Sequence, residues 1–188
     1  MPSKEIKAKP KSNLDFRLMS LTYKLRDLRL PRINILKEVG IETGSHVLDY
    51  GCGPGSYIVP LVKLVGDSGK VYALDMHPLA IEAVHRLTSK KEITNVQTIL
   101  SDCRTGLPPN SIDVALLYDI LHDLNNVSDV LTELRRILKP KGILSLSDHH
   151  MKEEEIISQA KGGGLFKLSA KNKRTYSFTG EERQQIES

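Results

Sequence analysis

The chain has 188 residues, of which 39% are hydrophobic and 27% charged, and its formal net charge is +4. This length and composition are typical of one soluble globular domain with a sizeable core. No apolar run reaches the roughly 18 residues of a membrane-spanning helix, and the charged N-terminus is unlike a secretory signal. Two cysteines, Cys52 and Cys103, make no disulfide framework, so we expect a cytoplasmic protein.

The N-terminal segment, residues 1–13, is basic. It carries four lysines, at positions 4, 7, 9 and 11, against one acidic residue, Glu5. We interpret it as a solvated, disordered tail. A nucleic-acid-binding arm is the alternative, because clustered lysines also bind phosphates.

The first two predicted elements are helices within residues 14–40. Five leucines between positions 14 and 28 recur at spacings of four and three, which predicts a helix with one apolar face. We expect this face to pack against the domain, although a basic amphipathic helix can also lie on a membrane surface. Pro31 can open a second helix, and Gly40 suits its C-terminal cap. The five leucines are Leu14, Leu18, Leu21, Leu25 and Leu28.

From Ser45 onward, predicted strands alternate with helices. This alternation indicates right-handed βαβ units and a mainly parallel sheet with an α/β fold. Pro140 is expected to end the helix before the fifth strand. The strands are His46–Tyr50, Lys70–Asp75, Val96–Leu100, Ile112–Tyr118 and Gly142–Ser147, and the helices are Ser56–Val65, His77–Lys90 and Val127–Leu138.

The end of the chain departs from this alternation. After a predicted helix at Glu153–Lys161, the segments Leu165–Ser169 and Arg174–Phe178 flank a loop short enough for a hairpin. We therefore expect an antiparallel pair at the edge of the parallel sheet. Residues 14–179 form one predicted domain, and residues 180–188 form a C-terminal tail.

A glycine-rich loop follows the first predicted strand. Gly51, Gly53 and Gly55 allow the backbone to turn sharply and approach a ligand closely. Asp75 ends the second strand about 20 residues later, the spacing at which a carboxylate accepts hydrogen bonds from a ribose. Together the loop and Asp75 predict a nucleoside ligand, with an aspartate that only caps a helix as the alternative.

The charge beside this loop distinguishes between nucleoside cofactors. Asp49 lies two residues before the first glycine, where a carboxylate would repel the pyrophosphate of a dinucleotide. The GxGxG spacing is also shorter than the dinucleotide fingerprint. A cofactor with a positive sulfonium centre is favoured instead.

These segments resemble the motifs of class I S-adenosylmethionine-dependent methyltransferases, particularly the branch that contains ubiquinone and menaquinone C-methyltransferases. The resemblance extends from Ile33 to Asp148 and is strongest in the first motif. It implies a Rossmann-like sheet of seven strands with the last antiparallel, helices on both faces and an N-terminal helical lid. The matching segments are Val47–Gly55, Asp75, Ser101–Cys103, Ile112–Asp123 and Leu134–Ser147.

The resemblance also implies roles for individual residues. The backbone around Gly51–Gly53 and Tyr50 would hold the methionine moiety. Asp75 would hold the ribose, and Tyr118 would lie beside the methionine or methyl end. Met76 would lie against the adenine, and Asp102 with Cys103 would close its pocket. The predicted cofactor-binding set is Asp49, Tyr50, Gly51, Cys52, Gly53, Gly55, Asp75, Met76, Asp102, Cys103 and Tyr118.

The segment after the fourth strand supplies the candidates for catalysis. Methyl transfer is an in-line displacement, and a general base is needed only where the acceptor must lose a proton. His122 is the candidate base, with Asp119 or Asp123 to orient it, and packing of His122 is the alternative. We expect no metal at Asp148–His150, because neighbouring residues on an extended chain point to opposite faces.

The sequence thus predicts an S-adenosylmethionine-dependent methyltransferase acting on a small molecule. An RNA or DNA methyltransferase is one alternative, suggested by the basic tail. The Asp/Asn-Pro-Pro-aromatic motif of the amino-methylating enzymes is replaced here by Tyr118–Leu121, so we expect no nucleic-acid partner. A non-catalytic cofactor-binding protein with the same fold is the second alternative.

Overall fold

The computed structural model describes residues 12–29 and 31–181, apart from the side chains of Lys24 and Leu28. The strands in this part of the chain are β1 (His46–Tyr50), β2 (Lys70–Asp75), β3 (Val96–Leu100), β4 (Ile112–Tyr118), β5 (Leu138–Ser147), β6 (Phe166–Lys171) and β7 (Tyr176–Gly180). The helices are α1 (Asn13–Arg29), α2 (Ile33–Leu36), α3 (Ile58–Val65), α4 (Pro78–Lys90), α5 (Val127–Ile137) and α6 (Glu153–Lys161).

These strands form one sheet in the order β3-β2-β1-β4-β5-β7-β6. β1 to β5 are parallel, whereas β7 runs antiparallel between β5 and β6. The predicted α/β fold and its antiparallel C-terminal hairpin are confirmed, with the hairpin strands one or two residues later than expected. The order reverses between β1 and β4, and ligands of open α/β sheets bind at such a switch point.

Helices cover both faces of the sheet because the central strands are apolar on both sides. On one face, Leu48 and Leu117 pack with α5 and α6. On the other face, Val47 and Leu116 pack with residues of α2, α3 and α4. The two cores fix the carboxyl ends of the central strands in position.

The junction between α5 and β5 differs from the prediction. α5 ends at Ile137 and β5 begins at Leu138, whereas the strand was expected from Gly142. Pro140 lies inside β5, three residues after the last residue of α5. Leu138 already pairs with Ile112, and the register shifts directly beyond this pair. Proline cannot donate a ladder hydrogen bond, and it is tolerated at such irregularities because the regular ladder is interrupted there.

The leucine face of α1 was expected to pack, and this expectation is wrong. Leu14, Leu18, Leu21 and Leu25 are 67%, 58%, 58% and 55% exposed. Among the described side chains of α1, Phe16 on the opposite side of the helix is the buried one. The side chain of Leu28 lies outside the described residues.

The other N-terminal features are shorter than predicted or lie outside the described residues. α2 covers Ile33–Leu36, followed by turns that reach Gly40, whose φ is +76°. The predicted basic tail lies outside the described residues as far as residue 11, and the predicted C-terminal tail from residue 182. Within residues 12–29 and 31–181, no helix combines the length and hydropathy needed to cross a membrane.

Candidate active site

A cavity lies at the carboxyl ends of β1, β2, β3 and β4, at the switch point of the sheet. The inner face of α1 covers it. From the strand ends it is lined by Tyr50, Gly51, Cys52, Gly53, Ser56, Tyr57, Leu74, Asp75, Met76, His77, Ser101, Asp102, Tyr118, Asp119, Ile120, Asp123, Leu124 and Asn125. From α1 it is lined by Phe16, Met19, Tyr23 and Arg26.

The glycine loop has the conformation that its sequence predicts. Gly51 and Gly53 have backbone φ values of +75° and +52°, which residues other than glycine rarely adopt. A Cβ on Gly51 would lie 2.9 Å from Cγ1 of Ile120, whereas a Cβ on Gly53 would meet nothing within 4 Å. Gly53 therefore leaves room beside the backbone, as a closely bound ligand requires. Gly55 has φ +88° and packs toward Val84, so it shapes the turn without lining the cavity.

Asp75 joins the glycine loop to the end of β2. Its Oδ2 accepts a hydrogen bond of 2.9 Å from the Gly53 N–H, and its Oδ1 accepts one of 2.8 Å from the His77 N–H. Burial raises the pKa of Asp75, and these backbone hydrogen bonds oppose the rise. A carboxylate fixed in this way presents its remaining lone pairs in a defined direction, as recognition of vicinal hydroxyls requires.

Asp49 lies beneath the loop, is buried, and does not line the cavity. Among the described residues, its Oδ2 has no hydrogen-bond partner. Burial, together with the nearby Asp75 carboxylate, raises the pKa of Asp49 to about 7. A positive group bound above the loop would stabilise the ionised form of Asp49. This part of the site therefore fits a cationic cofactor better than a pyrophosphate.

The end of β3 forms the far wall of the cavity. The Tyr50 hydroxyl donates a hydrogen bond of 2.8 Å to the Asp102 carbonyl oxygen, which ties β1 to this segment. Asp102 and Met76 both line the cavity. Cys103 does not line it, and burial raises the pKa of its thiol to about 11, which disfavours the reactive thiolate form.

The end of β4 contributes Tyr118 and Asp119. The Tyr118 ring lines the cavity, but its hydroxyl lies 2.8 Å from Oγ of Ser145 in the core. Asp119 adopts φ +53°, and its carboxylate bridges α1 and the segment after β5. Its Oδ2 lies 3.4 Å from Nη1 of Arg26, and its Oδ1 lies 2.8 Å from Nδ1 of His149.

His122 is held by a residue that the sequence did not indicate. Its Nδ1 lies 2.8 Å from Oδ2 of Asp148, whose side chain is 1% exposed. Burial raises the pKa of Asp148, but hydrogen bonds from His122 and His150 outweigh this, and its pKa is lowered. Asp119, one of the two expected orienting residues, pairs with His149 instead. Oδ1 of Asp123, the other expected orienting residue, lies 3.6 Å from Nε2 of His122. Asp123 lines the cavity, whereas His122 does not.

The segment after β5 forms a turn, whereas the expectation of no metal site at Asp148–His150 assumed an extended chain. The rings of His149 and His150 lie 3.8 Å apart, so the two side chains do not point to opposite faces. Among the described residues, ligand atoms of Asp119, Asp148 and His149 lie within 4.8 Å of one another, an arrangement that could hold a metal ion. In this structure, hydrogen bonds to His149 and His122 engage the two carboxylates.

Sequence reasoning did not identify the residues of α1 that line the cavity wall. Phe16, Met19, Tyr23 and Arg26 follow the same spacing of three and four residues as the leucines, so the signal was present on the opposite face. Phe16 stacks on His77, with ring centroids 4.6 Å apart. A lid was expected from both N-terminal helices. α2 contributes no lining residue among those described, and its Ile35 and Leu36 pack in the core beside α3.

Comparison with known proteins gives consistent similarities. A family model described as a methyltransferase domain matches residues 41–184. A demethylmenaquinone methyltransferase of Staphylococcus saprophyticus is 31% identical over 115 residues, which cover 60% of this chain and 48% of that protein. An aklanonic acid methyltransferase of a Streptomyces species is 31% identical over 103 residues, which cover 50% of this chain and 47% of that protein. The chain thus spans about half the length of these curated relatives.

Among solved structures, a SAM-dependent methyltransferase from Aquifex aeolicus superposes with a TM-score of 0.73. It is 25% identical, and the superposition covers 86% of this chain and 97% of that one.

Proposed function

Since the chain belongs to the class I S-adenosylmethionine-dependent methyltransferases and S-adenosylmethionine is its cofactor, we propose that it transfers the cofactor's methyl group to a small-molecule acceptor. One observation carries the proposal. The glycine loop and Asp75 meet in one cavity at the switch point, where the Gly53 N–H donates a hydrogen bond of 2.9 Å to Oδ2 of Asp75. The bound cofactor supplies an electrophilic methyl group on a sulfonium leaving group.

The cofactor end of the cavity consists of the segments around Gly51, Asp75 and Asp102. We assign the ribose hydroxyls to Asp75, because both of its oxygens are already fixed by backbone N–H groups. The buried Asp49 carboxylate, with its pKa raised to about 7, stabilises positive charge above the loop. Met76 and Asp102 border the adenine side, and the Tyr118 ring borders the methyl end.

The acceptor end lies beneath α1 and beside the segment after β4. Its wall contains Met19, Ile120 and Leu124, which suit an apolar or ring-shaped acceptor. Positioning against the methyl group supplies most of the acceleration of an in-line transfer. Where the acceptor must lose a proton, Asp119 and Asp123 line the cavity as candidate bases, and Nε2 of His122 lies 3.6 Å from Oδ1 of Asp123.

We also place the protein in the cytoplasm. Both thiols, Cys52 and Cys103, are free, as is typical of a reducing compartment. We expect neither a nucleic-acid partner nor a resident metal for the methyl transfer itself.

The decisive experiment measures binding and turnover separately. S-adenosylhomocysteine should raise the melting temperature and NADH should not, because only a ligand of the folded state stabilises it. Incubation with methyl-labelled S-adenosylmethionine and a panel of quinols and polyketide phenols should transfer label to an acceptor. A shift with NADH alone would refute the cofactor assignment.

Cofactor binding without transfer to any small molecule would indicate one of the two alternatives. Transfer of label to RNA, or RNA binding that weakens steeply with salt, would indicate a nucleic-acid methyltransferase. Tight cofactor binding without transfer to any acceptor would indicate a non-catalytic protein of this fold.

A further inference from the structure

The outer face of α1 carries an apolar stripe that the rest of the described chain leaves exposed. Successive helical residues are about 100° apart, so Leu14, Leu18, Leu21 and Leu25 lie within about 60° of arc around the axis. Each of these four side chains is more than half exposed. A row of exposed leucines on one helix is uncommon on a soluble surface and indicates a binding face. We call these four residues the leucine stripe.

The position of α1 on the domain is set by its other face. Phe16 is buried against His77, and Arg26 bridges to Asp119. On the helical wheel Phe16 lies opposite the leucine stripe, and Arg26 lies about 110° from the centre of the stripe. The stripe is therefore held outward by contacts that do not involve it.

Basic side chains flank the leucine stripe. On the helical wheel, Arg17 lies about 60° to one side of Leu14 and Arg29 about 60° to the other, and both are exposed. Beyond Arg17, a groove between α1 and α4 is lined by Leu21 together with Arg86 and Lys90. Glu82 is the acidic residue of this groove and pairs with Arg86.

An apolar stripe with cations on both sides matches an anionic lipid surface. Leucine side chains enter the boundary between headgroups and acyl chains, while arginine side chains extend toward the lipid phosphates. We infer that the leucine stripe of α1 docks this protein onto anionic membranes as a peripheral protein. The cavity lies directly beneath the docked helix, because the inner face of α1 lines it.

A second copy of the chain fits the same face less well. The leucine stripe covers fewer than two full heptads, whereas a coiled coil needs three or four. Pairing two such helices would also bring the flanking arginines of both copies together, and like charges across a helix pair oppose association. Charge thus favours a lipid surface over self-association.

Flotation with lipid vesicles tests the inference. The full chain should float with phosphatidylglycerol vesicles, remain behind with phosphatidylcholine vesicles, and dissociate as salt is raised. The double variant Leu18→Gln/Leu21→Gln should lose on the order of tenfold in partitioning per leucine. Leu100→Gln is the matched control, because Leu100 is 57% exposed at the end of β3, is not part of the leucine stripe, and its variant should partition as the parent does.

Three further measurements keep the result interpretable. Glutamine preserves helix propensity, so the double variant should keep its melting temperature and its S-adenosylhomocysteine affinity. Equal partitioning of the double variant and the parent, or no partitioning by the parent, would overturn the inference. Sedimentation of the parent as a dimer that the same variant dissociates, without vesicle binding, would assign the face to a second copy. Methyl transfer does not depend on either outcome.

Discussion

The two ends of the cavity are built differently. At the β1–β2 end, backbone N–H groups of Gly53 and His77 hold the Asp75 carboxylate, and the turn is fixed by glycine conformations. At the β4–β5 end, backbone N–H groups of His122 and His150 also bind Asp148, but pairs between side chains are added, as in those of Asp119 with Arg26 and with His149. The first arrangement is tied to the backbone of the glycine loop and of β2, whereas the second also depends on pairs of side chains from separate segments.

This difference separates the two tasks of a transferase. A cofactor that is always the same molecule is matched by a site built into the backbone. An acceptor that varies among relatives is matched by side chains on strand-end loops, which can change without disturbing the sheet. Mutations at the two ends should therefore have separable effects on cofactor affinity and on turnover.

The largest effect should come from Asp75→Ala. The variant removes the partner of two backbone N–H groups and the proposed acceptor of the ribose hydroxyls. We expect affinity for S-adenosylhomocysteine to fall on the order of a hundredfold, measured by titration calorimetry. The exposed Asp67→Ala is the control and should bind normally. Unchanged affinity in Asp75→Ala would remove the ribose assignment.

A smaller effect, confined to turnover, should follow Asp148→Asn. Asp148 is a positioning residue that holds Nδ1 of His122 at 2.8 Å. We expect kcat to fall by roughly tenfold or more where the acceptor must lose a proton, because a disordered base transfers it less often. Cofactor affinity should stay near the parent value, and the melting temperature should fall modestly, because Asn lacks one of the two acceptor oxygens that bind His122 and His150. A loss of cofactor affinity in this variant would contradict the separation of the two ends.

The smallest effect should be the change of pH dependence in Asp49→Asn. Ionised Asp49 favours a positive cofactor, and its pKa is about 7. The ratio of affinities for S-adenosylmethionine and for the uncharged sulfur of S-adenosylhomocysteine should therefore rise as the pH increases through about 7. In the Asp49→Asn variant this ratio should be flat and several-fold lower at alkaline pH. The same pH dependence in variant and parent would show that another group is responsible.

Sequence predicted the conformation of the turn at the β1–β2 end because its determinants are local. Gly51 and Gly53 were singled out because a sharp turn requires backbone angles that glycine adopts, and Asp75 because of its spacing from them. The partner of His122 was missed because Asp148 follows another strand, and only the parallel pairing of β4 with β5 brings them together. Contacts between loops of different strands leave no periodic signal in the chain.

The orientation of α1 was also beyond the sequence. Hydrophobicity ranks Leu18 and Leu21 above Tyr23 and Arg26, so the leucines were assigned to the buried side. In the structure, aromatic and cationic side chains face the cavity and the leucines face outward. Amphipathicity identified the helix but not the side that faces the domain.

The position of β7 has a consequence for how the chain is made. β7 pairs with β5, yet β6 and α6 lie between them in chain order. During synthesis the polypeptide emerges from its N-terminus, so β1 to β5 can assemble while the outer edge of β5 still lacks its neighbour. Until Tyr176–Gly180 leaves the ribosome, that edge offers unpaired N–H and C=O groups to other nascent chains. Premature termination between β5 and β7 should therefore yield aggregating fragments and not a smaller folded domain.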